Sequence, residues 1–382
     1  MHLLKSKTLP WFLFLALLVC LTACLPTRFI VYNFADINDH KKFPSRKLEP
    51  AKKPFTYAQV ELEDEPTLTA GTKKQPLAQY LNASNTVAFL IIRQDTIVYE
   101  RYFRGRDSSS TVPSFSVAKS FTSALIGCAI EDGLIGSVTD PIIKYVPELK
   151  GRNMDDLTLR QVLMMRSGIR FNESYYNPFG DAAKYYYGRR LRHYVTHMRS
   201  EKPPGSRFQY HSGNTQLLGL VLERALKGKT VTQYLQEKVW TPLTMESPAS
   251  WSIDKKKNGL EKTFCCINAT ARDFAKFGTL YLHGGSWQGR QVVPASWVQE
   301  STQADKAKGD DGWYKYQWWL TENSKQGEYM AQGTLGQYIY VNPARQVVIV
   351  RLGKDGGGTN WEMLFSSIAN KYGNGEQGQV TP

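Results

Sequence analysis

The sequence reads as an α/β chain of the α+β kind: an antiparallel sheet built from both ends of one domain, flanked by helices, with a helical subdomain inserted. Three observations predict it. Strand-like runs near residue 90 are matched only by runs near residue 340, and the long middle of the chain is helical in pattern. The 382 residues are 42% hydrophobic and 12% aromatic, enough for a packed core. An antiparallel sheet closed by both chain ends forces a helix-rich middle to pack beside it, and the groove between the two is a natural ligand site.

Taken in order, Met1 to Lys7 is basic and Leu9 to Leu21 apolar, the layout of a secretory signal. That stretch is shorter than the roughly 20 residues that span a bilayer. It ends in Leu21-Thr22-Ala23-Cys24, which resembles a bacterial lipobox. Residues 1–23 are therefore read as a lipoprotein-type signal peptide and Cys24 as the lipidated mature N-terminus. An ordinary signal peptide or an uncleaved anchor are the alternatives, and each exports the rest of the chain. Residues 24–75, rich in Lys, Pro, Glu and Thr without a sustained apolar period, read as the lipidated cysteine and a tether with some extended structure packed on the main domain.

The main domain is assigned to 76–378. A short helix, Pro76 to Ala83, precedes Thr86 to Arg93 and Thr96 to Tyr99, two β-rich runs joined by Gln94-Asp95 as a hairpin. Helices are predicted over Thr158–Arg166, Asn214–Ala225, Val231–Val239 and Thr270–Leu282, within an insertion of about 125–310. Strands return at Gly336–Val341 and Gln346–Leu352, followed by an amphipathic helix from Trp361 to Tyr372.

The formal charge is +14, and loss of Lys5 and Lys7 with the signal lowers it by two, to +12. That balance suits anionic lipids and wall polymers. The cations are scattered, with no motif of a nucleic-acid reader, so no nucleic-acid partner is expected. Without Cys20 and a lipidated Cys24, Cys128, Cys265 and Cys266 remain, an odd number that implies no disulfide framework. Cys265 and Cys266 are read as buried thiols rather than as a vicinal disulfide or a metal site. His193 and His197 stand four apart but lack the H-E-x-x-H pattern, and Gly228-Lys229-Thr230 lacks the glycine of a phosphate loop. Trp313, Trp318 and Trp319 with Tyr314 and Tyr316 either line a cleft or fill the core.

Ser116-Val117-Ala118-Lys119 opens an apolar helical run, and a spacing of three puts both functional side chains on one face. A serine hydroxyl needs a base within hydrogen-bond reach, and a lysine serves as one only where its pKa is lowered. The segment Ser114 to Thr122 resembles the active-site segment of class C β-lactamases, family VIII esterases and DD-peptidases. Asp140–Leu149, Leu157–Ile169, Ile267–Gly278 and Trp287–Pro294 resemble scaffold segments of the same superfamily, in the same order. Gln209-Tyr210-His211-Ser212 is similar to its Y-x-N region, with Ser212 in the place of Asn. The Tyr-x-Ser form resembles 6-aminohexanoate-dimer hydrolases.

The resemblance implies that Ser116 is the nucleophile and that Lys119 and Tyr210 move its protons. It implies a third element at Gln332 to Val341, with Gly336 as its glycine and Thr334 in place of the usual Lys, His or Trp. Backbone N–H groups of Ser116 and Gln337 are then the expected oxyanion hole, and Ser212, Thr334, Leu335 and Gly336 the expected substrate contacts. Neither metal nor organic cofactor is required. The implied activity is hydrolysis of an ester, amide or peptide by an acyl-enzyme in the cell envelope, with efficient β-lactam hydrolysis disfavoured by the altered second and third elements. A non-catalytic envelope binding protein is the alternative, and the oligomeric state is open.

Overall fold

The computed structural model describes residues 25–32, 34–60, 65–70, 73–304, 312–321 and 327–373. The expected signal peptide and Cys24 lie outside them.

Thr86–Arg93 and Thr96–Tyr102 pair antiparallel, and Gln94 and Asp95 between them have φ of 46° and 58°. Two left-handed residues are what a tight two-residue hairpin requires. This hairpin sits inside an eight-stranded sheet in the order Tyr314–Lys315, Trp318–Leu320, Tyr329–Gly333, Gln337–Asn342, Val347–Gly353, Thr86–Arg93, Thr96–Tyr102 and Ala58–Gln59. Each pairing is antiparallel except the last, which is parallel. Strands from the two ends of the domain meet where Val347–Gly353 pairs with Thr86–Arg93.

The run Thr-Val-Ala-Phe-Leu-Ile-Ile is continuously apolar after its first residue because both of its faces are covered. Phe89 and Ile91 pack with Ile349 of the neighbouring strand and with Phe365 and Ile368 of the C-terminal helix Trp361–Gly373. Leu90 and Ile92 belong to the opposite layer, with Phe121, Phe274, Phe277 and Val348. The predicted helices appear with their caps. Thr158 and Thr230 each close a capping box with Gln161 and Gln233, and the Thr270 hydroxyl accepts from the Asp273 N–H.

One expectation is refined. The middle of the chain is not purely helical, since Ala249–Ser252 and Ile267–Ala269 form the centre of a second sheet, flanked by Ser45–Leu48 and Val112–Pro113. The described part of 24–75 carries the extended structure packed on the main domain that its sequence predicts. Ser45–Leu48 pairs with Ala249–Ser252, Arg46 reaches Glu261 at 2.7 Å, and Ile37, Leu48 and Tyr57 are buried in the main core. A four-residue strand that borrows its partner from sequence 200 positions away has no periodicity to announce it.

Helix Ala271–Leu282 lies directly on the large sheet through Gly278, where a Cβ would stand 2.6 Å from Val348 Cγ1 and 2.7 Å from Ile339 Cγ2. Gly278→Ala forces helix and sheet apart, and the expected loss is about 1–3 kcal/mol of stability, read as a lowered denaturant midpoint.

Candidate active site

Ser116 sits in the single 3-10 turn Phe115–Val117 that leads into helix Ala118–Glu131. The turn is fixed from both sides. Ser114 donates its N–H to the Ile267 carbonyl at 2.7 Å and accepts the Ile267 N–H on its hydroxyl at 3.1 Å. Across from it runs the strand Tyr329–Gly333, and a Cβ on Gly333 would fall 2.6 Å from the Ser114 carbonyl and 3.0 Å from the Ser116 nitrogen. Only glycine lets strand and turn approach this closely. Phe115 itself is held at φ 43°, a left-handed conformation unusual for a non-glycine residue.

One helical turn on, Lys119 is almost wholly buried. Its Nζ has three oxygen neighbours: Ser116 Oγ at 2.8 Å, the Phe264 carbonyl at 2.9 Å and Ser212 Oγ at 3.2 Å. Burial pushes Lys119 down to about 8, while the Glu173 carboxylate pulls it back up. The identity of the three neighbours fixes how a neutral amine must sit. The Phe264 carbonyl can only accept. Ser212 gives its hydroxyl hydrogen to Glu173 Oε1 at 2.6 Å, so toward Lys119 it also accepts. The two N–H bonds of a neutral amine are thereby assigned, and the lone pair is left facing the Ser116 hydroxyl.

Glu173 was not singled out from sequence. It accepts the Ser212 hydroxyl and, at 2.8 Å, the Ser212 N–H, so it satisfies an orphan donor at the first turn of helix Ser212–Ala225. The Tyr175 hydroxyl donates to the same carboxylate at 2.8 Å. A glutamate in a loop forty residues before its partner carries no local signal. Ser212, expected as a substrate contact, is thus a bridge between Lys119 and Glu173, although it also lines the cleft.

Tyr210 enters from the segment before that helix, and its ring packs on Trp319 at 5.5 Å and on Tyr314 at 6.1 Å between centroids. Lys119 Nζ lies 5.1 Å from the Tyr210 ring centre. Burial pushes the Tyr210 phenol well up, opposed by a hydrogen bond with Ser116, so it is protonated at neutral pH. The aromatic group between 313 and 319 divides its labour: Tyr316 and Trp318 are core, whereas Tyr314 and Trp319 form the wall behind Tyr210.

The third element divides between the cleft and the core. Thr334 and Leu335 line the cleft beside Ser116, as expected, but Gln337 does not. Gln337 is the ladder partner of Gly333, and its side chain is buried against Gly353, donating to that carbonyl at 2.7 Å. Gly336 faces away from Ser116. A Cβ there would collide with the buried Arg351 guanidinium, which donates to the Gly336 carbonyl at 2.6 Å and to the Ser84 carbonyl at 2.7 Å. The glycine that abuts Ser116 is Gly333, three residues earlier. Two glycines three positions apart look alike in sequence, and only the pairing register tells which one touches Ser116.

The cleft holds about 140 Å³ and is lined besides by Phe34, Phe115, Tyr176, Tyr186 and Phe264. Cys265 also lines it, and here too an expectation fails: Cys265 and Cys266 are joined as a vicinal disulfide, while Cys128 is a buried free thiol pushed up to about 12 by desolvation. The bridged pair sits between Phe264, whose carbonyl holds Lys119, and Ile267, which holds Ser114. A second basin of about 850 Å³ borders the same 171–185 region without including Ser116.

The Beta-lactamase family model matches residues 76–365. The chain belongs to that family. It is 30% identical over 320 residues to the 6-aminohexanoate-dimer hydrolase of Paenarthrobacter ureafaciens, an alignment covering 78% of this chain and 80% of the relative. A Bacillus anthracis protein described as a candidate 6-aminohexanoate-dimer hydrolase superposes with a TM-score of 0.80 at 24% identity, covering 90% of this chain and 94% of that one. A family VIII carboxylesterase superposes at 0.57 and 16% identity, covering 73% and 86%. Membership makes the chain a serine hydrolase of the β-lactamase-related type, and the fold is that of the β-lactamases and penicillin-binding proteins.

The disulfide is open to a direct check. Alkylation of the unfolded chain with and without prior reduction by a dithiol should change the peptide carrying Cys265 and Cys266 by two alkyl groups; equal labelling in both samples excludes the bond.

Proposed function

We propose that the chain hydrolyses an ester or amide through an acyl-enzyme on Ser116. The observation that carries this reading is the set of bonds around Lys119, which leaves a desolvated lone pair no partner but the Ser116 hydroxyl. Lys119 takes the Ser116 proton as Oγ attacks the carbonyl carbon. The tetrahedral oxygen is received by the N–H groups of Ser116 and, in place of Gln337, of Thr334, which follows the glycine against the nucleophile and lines the cleft. Tyr210, protonated as it is, gives its proton to the leaving nitrogen or oxygen and regains one from the Lys119 ammonium beside it. Water then attacks the acyl-enzyme by the same relay and releases the acid.

Small acyl substrates suit a cleft of about 140 Å³ walled by aromatic rings. Amide hydrolysis of the kind named in the 30% identical relative is the leading candidate, with esters and peptides next. Export through residues 1–23 and a lipid on Cys24 would place this chemistry in the cell envelope, on the periplasmic side of a bacterial membrane.

Ser116→Ala and Lys119→Ala are each expected to lower kcat for p-nitrophenyl acetate by on the order of 10⁴-fold or more, with loss of fluorophosphonate labelling in the first. Full labelling of Ser116→Ala would sink the assignment. Because Lys119 acts as the free base, kcat/KM should rise with pH through about 8. Glu173 holds that value up, so in Glu173→Gln the rising limb should move to lower pH; a limb that stays put disconnects Lys119 from the profile.

A further inference from the structure

The described residues expose eight large hydrophobic side chains, and five of them, Val31, Phe34, Tyr175, Tyr176 and Phe179, come from two short segments that meet where the Phe34 ring packs on Tyr176. Phe34, Tyr175 and Tyr176 line the Ser116 cleft, and the Phe34 and Tyr176 rings stand 5.9 Å apart. Exposures of 80% at Tyr176, 68% at Phe179 and 63% at Val31 are too high for side chains packed inward. A concentrated apolar rim at the mouth of a cleft is a contact surface, not scatter.

Its neighbourhood is cationic. Phe179 also borders the larger basin, in which Arg152, Arg170, Lys184, Arg199 and Lys202 face only Asp181 and Glu201. Arg170 and Glu201 pair at 3.3 Å and Lys184 and Asp181 at 3.0 Å, both exposed enough to be screened, so positive charge remains in excess. The rim is also where the described chain starts. Helix Leu25–Tyr32 follows directly on Cys24 and is fixed there by Phe29 and Tyr32 against Tyr187.

We infer that the mouth of the cleft docks on an anionic lipid bilayer, with Val31, Phe34, Tyr176 and Phe179 entering the interface and the basin taking up lipid headgroup charge. Exposed Tyr and Phe over an apolar patch, flanked by Lys and Arg, match the chemistry of that interface. An anchor at Cys24 would tether the chain beside the rim. The substrate class that follows is an amphiphile held in the bilayer, whose acyl ester or amide reaches Ser116 from the membrane face. This inference rests on the serine-hydrolase and lipid-anchor readings proposed above.

The test uses the full chain and compares wild type with Val31→Ser/Phe179→Ser and with Arg170→Glu/Arg199→Glu, none of which lines the Ser116 cleft. Two substrates are followed: soluble p-nitrophenyl acetate, and a long-chain 4-methylumbelliferyl ester carried in vesicles of phosphatidylcholine with or without phosphatidylglycerol. Docking predicts that turnover of the soluble ester stays within twofold in every protein, which also certifies folding. Turnover of the vesicle-borne ester should fall at least tenfold in the apolar variant. The charge-reversed variant should lose the acceleration that phosphatidylglycerol gives the wild type. Equal vesicle rates in all three proteins overturn the inference while leaving the Ser116 chemistry intact, and so does a lipid-free dimer that the apolar variant abolishes. A wild type inert on both substrates and unlabelled by fluorophosphonate removes the chemistry and the inference together.

Discussion

The amine of Lys119 is the constraint around which the rest of the site is arranged. An ammonium buried among a helix, a loop carbonyl and two hydroxyls loses most of its hydration, and desolvation brings it down to about 8. Such a group is tolerable only if its hydrogen bonds are all met, and three different parts of the chain meet them. The turn Phe115–Val117 brings Ser116, helix Ser212–Ala225 brings Ser212, and the segment before Ile267 brings the Phe264 carbonyl. Glu173 then decides the direction of the Ser212 hydroxyl, and with it the direction of the lone pair on the lysine.

Rigidity around this point comes from close backbone approaches rather than from further ion pairs. Gly333 brings the third-element strand onto the nucleophile turn, and Gly278 lays a helix on the sheet that carries that strand. The turn after Gly333 is secured by Arg351, a buried guanidinium stacked 3.8 Å over the Trp361 ring and bonded to carbonyls of Ser84, Gly336 and Asp355. Burial lowers its pKa to about 10, so the charge survives at neutral pH because backbone oxygens replace water. The vicinal disulfide acts at the same scale, joining the residue beside the Lys119 acceptor to the residue beside the Ser114 ladder.

Much of this was legible in the chain before any coordinates. The hairpin at Gln94-Asp95, the capped helices after Thr158, Thr230 and Thr270, and the C-terminal helix each carry a local period or a cap, and they fall within a few residues of the expected bounds. Ser116 and Lys119 were legible because three residues of a helix guarantee their proximity, and Tyr210 because a motif surrounds it. Glu173, Gly333 and the Cys265–Cys266 bridge were not, since each acts through a contact with a distant segment or through a bond that spacing alone does not favour.

The sequence by itself therefore determined the hairpin, the capped helices and the pairing of Ser116 with Lys119, all of which depend on residues within a turn or two of one another. Tertiary structure decided everything that depends on register and on which side of a residue faces whom. It set Gly333 rather than Gly336 against Ser116, placed Ser212 both in the cleft lining and in a bridge from Lys119 to Glu173, and paired Ser45–Leu48 with the distant strand Ala249–Ser252. The physical reason is common to the three cases: hydrogen-bond direction and close approach are properties of paired segments, and a single segment read alone contains only half of each pair.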